Sequence, residues 1–403
     1  MSPRISDVDF GRAGADCYRG LVLSGTPRER GMIYGRVFAD KIKANVQRHL
    51  TRTDLPPWTV CSTLIKDVYL PTLIQSFGDL VDELIGMARG SGVRLEHLIF
   101  LNVRDDLAAI AHRLRRPSPD APITEPQLAE ESTSAFFSGR VTDDASPILA
   151  QSRVASKQIV DESLMVCLEM HPCPGDKSPS ILMVVEAGMI SGSGINSSGI
   201  AVTGNCLLSR ADFVPALPGR SYLPVTLLER HVLKQANTVD AFTSTGEYDT
   251  HASKHVFITH WSGNHVSFEV APGHCFQHFG EPKNRLRILV HTNHFQSFEH
   301  WLKRRDVGDA YHGTKSQTRR RLLKDLIADR HQASKISQDD VLAMFANHHG
   351  KPDCLCQHKK EGRDDMTVSF VMLDPLSSIV SVCKGPPCEG RMMRFKLHRV
   401  NSP

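Results

Sequence analysis

Ser132 opens an apolar run, Glu131-Ser-Thr-Ser-Ala-Phe-Phe137, and a nucleophilic side chain at the first position of a strand has one distinctive chemistry. If the peptide bond before it is cut, Ser132 becomes a new N-terminus. Its α-amine, ordinarily titrating near ~7.7–8.0, can then take the proton from its own Oγ. A Ser at a strand entrance is more often an ordinary turn residue, so the reading depends on its companions. Val290-His-Thr-Asn-His294 ends a second apolar run. Asn293 there offers uncharged N–H donors suited to a developing oxyanion, or it is a loop Asn bonding its own backbone. The His-x-x-His pair lacks a third ligand at a fixed offset, which argues against a metal.

Three further segments carry candidate chemistry. Cys354-Leu-Cys-Gln-His358, with His348-His349 upstream and Cys383 and Cys388 downstream, is the strongest metal-like grouping. Its spacing is not the matched pairs of C-x₂₋₄-C that structural zinc favours, so no metal or other cofactor is expected. Gly362-Arg363 leads a charged turn into an apolar run, where Arg363 either clamps a carboxylate or is solvated. The glycine-rich stretch Glu186–Gly199 lacks the Lys-Ser/Thr of a phosphate loop and reads as a hairpin connection.

The elements that must position these residues follow from periodicity and punctuation. Helices are expected from Pro27 to about Leu50, with Thr26 as N-cap, from Pro71 to about Arg89, closed by Gly90-Ser-Gly92, and from Leu95 to Ala111. Residues 115–130 hold four prolines among charges and small residues, an exposed segment ending just before Ser132. Beyond it come short β-rich runs, with helices at about Pro224–Gln235, Gln317–Ala328 and Gln338–His348. Helices first and then a β series interrupted by helices argue an α+β fold.

The totals exclude several classes. A net charge of +4 from 48 basic and 44 acidic residues, with no basic stripe, argues against nucleic acid as a partner. The basic runs Arg319–Lys324 and Arg113–Arg116 read as the solvated face of a helix and a loop. No apolar stretch approaches the ~20 residues that span a bilayer, so no membrane partner is expected. The first residues lack an apolar signal core, and the ten cysteines are scattered through apolar runs as in reduced proteins, so the expected location is cytoplasmic.

Taken in order, these pieces resemble the acyl-coenzyme A:isopenicillin N (6-aminopenicillanic acid) acyltransferase family, peptidase family C45 of the N-terminal nucleophile hydrolases. Gly25-Thr-Pro-Arg-Glu-Arg-Gly31 with Tyr34-Gly35 is similar to its opening signature, and Glu83–Gly90 with Leu101–Asp106 to its second. Glu186–Val202 and His291–His294 are similar to two more, and Cys354–His358, Thr367–Asp374 and Gly385-Pro-Pro-Cys388 resemble the bacterial branch. The resemblance implies a four-layer αββα sandwich made as a self-cleaving precursor. The cut falls between Glu131 and Ser132, giving a helical small chain (1–131) and a nucleophile-bearing large chain (132–403) that stay together as one globular domain. It implies Ser132 as nucleophile, Asn293 as oxyanion donor, Asn205 near the site, and Arg363 as the counterpart of an active-site Arg. It also treats the Cys/His cluster as a sequence feature without metal.

Three departures weigh on function, and the first is Glu131, where relatives often carry Gly or another residue. The family nucleophile is Cys, and Ser132 stands here. The family's Gly-Gln-Asn-Trp-Asp segment is Ala150-Gln-Ser-Arg-Val154, so Val154 replaces an acid and Arg153 is the available compensating, substrate-binding charge. The leading expectation is an acyltransferase or amidohydrolase acting on amide or acyl-thioester bonds of small molecules in secondary metabolism, with an acyl donor such as acyl-CoA and an amine or water as acceptor. The alternative is a catalytically impaired relative with a binding role.

Overall fold

The computed structural model describes residues 5–7, 16–115, 130–215, 222–278, 288–297, 314–351, 353–360, 362 and 364–398. The helical part comprises α1 (Pro27–Val37), α2 (Ala39–Leu50), α3 (Trp58–Leu64), α4 (Leu70–Ser76), α5 (Gly78–Ser91), α6 (Leu95–Asn102) and α7 (Arg104–Leu114). Each of the three expected long helices is broken once. The breaks fall at Phe38, Phe77 and Val103, whose φ/ψ of −114/24, −141/47 and −127/19 leave the helical region. All three side chains are buried, so core packing overrides helical continuity there. The start of α1 is as expected. Thr26 Oγ1 accepts from the Glu29 N–H while the Glu29 carboxylate accepts from the Thr26 N–H at 2.9 Å, a reciprocal cap ahead of Pro27.

Two sheets follow. The strands are β1 (Ile5–Asp7), β2 (Arg19–Leu23), β3 (Glu131–Phe137), β4 (Ile148–Ser156), β5 (Met165–Met170), β6 (Ile181–Glu186), β7 (Ser193–Asn196) and β8 (Ile200–Leu207). The series continues with β9 (Ser253–His260), β10 (His265–Ala271), β11 (His274–His278), β12 (Ile288–His291), β13 (Asp365–Asp374), β14 (Ile379–Lys384) and β15 (Met392–Lys396). One sheet has the order β1-β15-β14-β13-β4-β3-β12, the other β11-β10-β9-β8-β7-β6-β5-β2. A short helix α8 (Gln158–Asp161) follows β4, and α9 (Leu228–Leu233), α10 (Thr238–Ser244), α11 (Thr314–Ala333) and α12 (Gln338–Phe345) complete the α-helices among the described residues. The glycine-rich stretch is more than a hairpin turn, because it contains β7.

Alternation along the strands sorts the layers. Val166, Leu168, Ile181, Met183, Val256 and Ile258 face the N-terminal helices together with α9 and α10. Their neighbours Met165, Cys167, Leu182, Val184 and Phe257 face the other sheet, meeting Phe136, Leu149, Val371 and Leu373. The outer face of that sheet, Ala135, Phe137, Ile148, Ala150, Phe370 and Met372, packs on Leu323 and Ile327 of α11 and Val341, Leu342 and Phe345 of α12. The result is the expected four-layer αββα sandwich of α+β class. Among the described residues no helix is long and apolar enough to cross a membrane.

The two N-terminal signatures have a shared physical cause. A Cβ at Gly31 would lie 1.9 Å from the Glu83 carbonyl oxygen, and one at Gly35 2.3 Å from that of Met87. Reciprocally, Cβ atoms at Gly86 and Gly90 would lie 2.0 Å from the Arg28 oxygen and 2.2 Å from the Met32 oxygen. Two G-x-x-x-G faces thus press α1 and α5 backbone to backbone. Beside the crossing, Glu83 accepts from Arg230 at 2.9 Å. Gly31→Ala should lower the unfolding free energy by about 1–3 kcal/mol, the cost of overpacking a tight contact. Gly78→Ala, with nothing within 4 Å of the added methyl, should leave the urea midpoint unchanged or slightly raised. Equal midpoints for both variants would refute the close crossing.

Candidate active site

Register assembles the site. In β3, flanked by β4 and β12, Ser134 pairs with His291 and Ser132 with Arg153. Continuing the β3–β12 register two residues past His291 sets Asn293 across from Ser132. The Ser132 backbone N–H donates to Asn293 Oδ1 at 2.9 Å. Asn293 Nδ2 donates to the Cys206 carbonyl at 3.1 Å and lies 3.4 Å from Ser132 Oγ. The amide therefore turns its oxygen to the backbone nitrogen and its N–H₂ toward the hydroxyl. That is the polarity an oxyanion donor would need beside a nucleophile at this position.

Arg319 corrects the sequence reading. Instead of lying on a solvated helix face, it is 1% exposed. Its guanidinium donates to the Ser132 carbonyl at 3.1 Å, to Thr133 Oγ1 at 3.0 Å and to Asn293 Oδ1 at 3.1 Å, and pairs with Glu131 at 3.0 Å. The signal was present in the spacing. Ser316, Arg319, Leu323 and Ile327 form one buried stripe at helical intervals along α11. Because side chains alternate, Thr133 points to this helix while Ser132 and Ser134 point between the sheets.

Asn205 reaches the strand beside Ser132 rather than Ser132 itself. Its Oδ1 accepts from Ser134 Oγ at 2.6 Å and from Gln151 Nε2 at 2.9 Å, and its Nδ2 donates to the Thr292 carbonyl at 3.1 Å. It positions the loop that carries Asn293. Ser316 Oγ helps by accepting the Asn293 N–H at 2.8 Å. The two histidines flanking Asn293 diverge: His291 Nε2 meets Glu269 at 2.8 Å, while His294 Nδ1 meets Ser316 Oγ at 2.7 Å. Burial and the neighbouring His291 push His294 down to about 3, so it is neutral at pH 7.

A small cleft opens between the sheets, lined by Ser132, Arg153, Arg104, Lys254, Glu130 and Glu186 among others. Glu186 is fully buried and is met by Arg48 and Arg104 at 2.5 Å each and by Arg153. Burial pushes its carboxyl up, but Arg104, Arg153 and Arg48 outweigh that and hold it well below the usual range. Glu130 bonds Arg153 at 2.5 Å, Arg104 at 3.0 Å and Arg52 at 3.2 Å, and is likewise held low against its burial. Both residues preceding Ser132 are thus gripped by arginines. His49, beside Glu186, is driven to about 3 by burial and by Arg48. Three guanidinium groups already neutralise this carboxylate group, so it offers no metal site. Cys206 lines the same cleft, where burial and Asp105 push its thiol up to about 12, away from the thiolate form.

Val154 is buried and faces Glu131 across the strands. The carboxylate at this level is therefore Glu131, which is paired with Arg319. Arg153 pairs with Ser132 across the strands, with its charge engaged by Glu130 and Glu186. Arg363 lies outside the described residues.

Residues 163–388, more than half of the chain, match the sequence model of the acyl-coenzyme A:6-aminopenicillanic acid acyl-transferase family. Similar solved structures include penicillin V acylase from Agrobacterium tumefaciens, at 11% identity over 67% of this chain and 87% of that one, with a TM-score of 0.42. Another is a mutant of the conjugated bile acid hydrolase from Clostridium perfringens, at 11% identity over 68% and 98%, with a TM-score of 0.39. No curated protein matches by sequence.

Removing Glu186 leaves Arg48 without a carboxylate and leaves Arg104 and Arg153 to share Glu130. Glu186→Gln should cost about 3–5 kcal/mol of stability, the usual loss when one partner of a buried ion pair is removed. Because its folded pKa is depressed, the deficit should be full above about pH 4.5 and shrink as the pH falls below it. Urea unfolding of both proteins from about pH 3.5 to 8 measures this, and a pH-independent deficit would contradict the assignment.

Proposed function

The chain belongs to the acyl-coenzyme A:6-aminopenicillanic acid acyl-transferase family, and on that premise we propose that it is an acyl-transferring or amide-hydrolysing enzyme whose nucleophile is Ser132 after self-cleavage. The observation that carries the reading is the Asn293 amide, which bonds the Ser132 N–H and turns its N–H₂ toward Ser132 Oγ. In maturation, Ser132 Oγ attacks the Glu131 carbonyl carbon and the C–N bond breaks, shifting the acyl group from nitrogen to oxygen. Water then hydrolyses that ester, leaving a Glu131 carboxylate and a free Ser132 α-amine.

In turnover, the amine takes the Oγ proton as Oγ adds to the acyl carbon of an amide or thioester. Asn293 Nδ2 donates to the oxyanion. The amine passes its proton to the leaving nitrogen or sulfur, and an amine or water completes the cycle at the acyl-enzyme. Arg319 is a positioning residue, since it holds the Ser132 carbonyl and the Asn293 amide. The substrate is a small molecule bearing a carboxylate. Glu130 occupies Arg153, Arg104 and Arg52 in the uncut chain, and withdrawal of the segment ending at Glu131 would offer those cations to a substrate.

Intact mass and N-terminal sequencing test the reading. Two chains are expected, the larger beginning at Ser132, whereas Ser132→Ala should remain one chain. In the mature enzyme Asn293→Ala should lower kcat by about 10²–10³, the usual loss for one oxyanion donor. A wild-type chain that stays whole over time, with no acyl adduct at Ser132, would leave the fold as a binding protein and sink the enzymatic reading.

A further inference from the structure

The loop between α12 and β13 gathers the residues whose linear spacing argued against a metal. His348, Cys356, His358 and, from the β14–β15 connection, Cys388 present ligand atoms that all lie within 4.8 Å of one another. The separations are 2.8 Å between the two Nε2 atoms and 3.5 Å between the two sulfurs. His358 Nε2 lies 3.7 Å from Cys356 Sγ and 3.1 Å from Cys388 Sγ. A tetrahedral ion with bonds of about 2.3 Å to sulfur and 2.0–2.1 Å to nitrogen needs ligand atoms about 3.3–3.8 Å apart. Small adjustments bring the four to that geometry.

The geometry points to a structural zinc site of two thiolates and two imidazoles. Donor chemistry selects the ion, because a tetrahedral S₂N₂ set suits Zn²⁺ and excludes calcium and magnesium, which take oxygen. Four protein ligands close the sphere and leave no position for substrate, so the role is structural. An outer partner is also in place. His358 Nδ1 lies 3.2 Å from Glu389, a contact that keeps the proton on Nδ1 and turns the Nε2 lone pair inward. The backbone fixes the rest. The Cys356 N–H donates to the Asn347 carbonyl at 3.1 Å, Gln357 and Thr367 exchange bonds at 2.9 Å, and the Gly390 N–H closes the turn on Pro386 at 2.9 Å. The ion would fasten the segment entering β13 to the connection leaving β14, at the end of the sheet that carries Ser132.

Elemental analysis of the full-length chain, purified without a metal-affinity step, tests the site. One zinc per chain is expected, released when a mercurial titrates the two thiolates, with a lower melting temperature after chelation. Cys356→Ser and Cys388→Ser should fall below about a tenth of an equivalent. Ser132→Ala should keep its zinc, so this outcome is independent of the proposed catalysis. Should the ligand variants fail to fold, exchange of cobalt(II) into the wild-type chain reads the site directly, through thiolate-to-metal absorption. A folded wild-type chain without zinc, a chain holding iron, or a Cys356–Cys388 disulfide in a non-reduced peptide map would each overturn the assignment.

Discussion

The buried carboxylate of Glu186 is the joint on which the layers turn. It ends β6, and its partners come from three other places: Arg48 and His49 from α2, Arg104 from α7, and Arg153 from the opposite sheet. A charge so buried is tolerated only when its lone pairs are met by donors of opposite sign, and here they are. Two of those arginines also hold Glu130, one residue before Glu131. The same interaction therefore locks helices to sheets and fixes the approach of the chain to Ser132.

Register does the remaining work. A one-residue slip of β3 would turn Ser132 toward α11 and Thr133 into the cleft. That slip is opposed from both faces, by Phe136 packed between the sheets and by Phe137 packed under α11 and α12. Within that register Asn293 is held by Ser316, and its loop by Asn205, before any substrate arrives. A donor group fixed beforehand needs no reorganisation as charge develops, which is where such groups have their effect.

Much of this was legible in the sequence. Periodicity and caps gave the helical start, the β-rich remainder and the α+β class, and Thr26-Pro27 marked the first helix to the residue. Local signals could not supply three features. The breaks at Phe38, Phe77 and Val103 arise from tertiary packing, which propensity does not encode. Arg319 was hidden by its neighbours, because a run of basic residues hides which one faces inward until the stripe through Leu323 and Ile327 is followed. The Cys/His grouping failed a test of linear spacing because its fourth member, Cys388, arrives from a different connection. Asn293 and Ser132, by contrast, were nameable as residues, but only pairing brings them together.

On the proposed mechanism, the departures at Ser132 and Val154 both bear on the α-amine. A hydroxyl is far less ionised than a thiol, so a serine nucleophile depends on its α-amine being neutral and basic. A carboxylate close to an amine favours the ammonium form, commonly moving such a group by about 1–3 pKa units. An Asp at position 154 would therefore keep more of the amine protonated at neutral pH. Val154 brings no carboxylate to this position, and in the uncut chain Glu131 and Glu130 are engaged by Arg319, Arg104 and Arg153. Cations near an amine lower its pKa, and Arg153, Arg104 and Lys254 line this cleft. On the proposed mechanism, an apolar residue at position 154 is compatible with an α-amine that has to stay neutral for Ser132 to act. Restoring the acid alone would reinforce the protonated state that a serine nucleophile has to avoid.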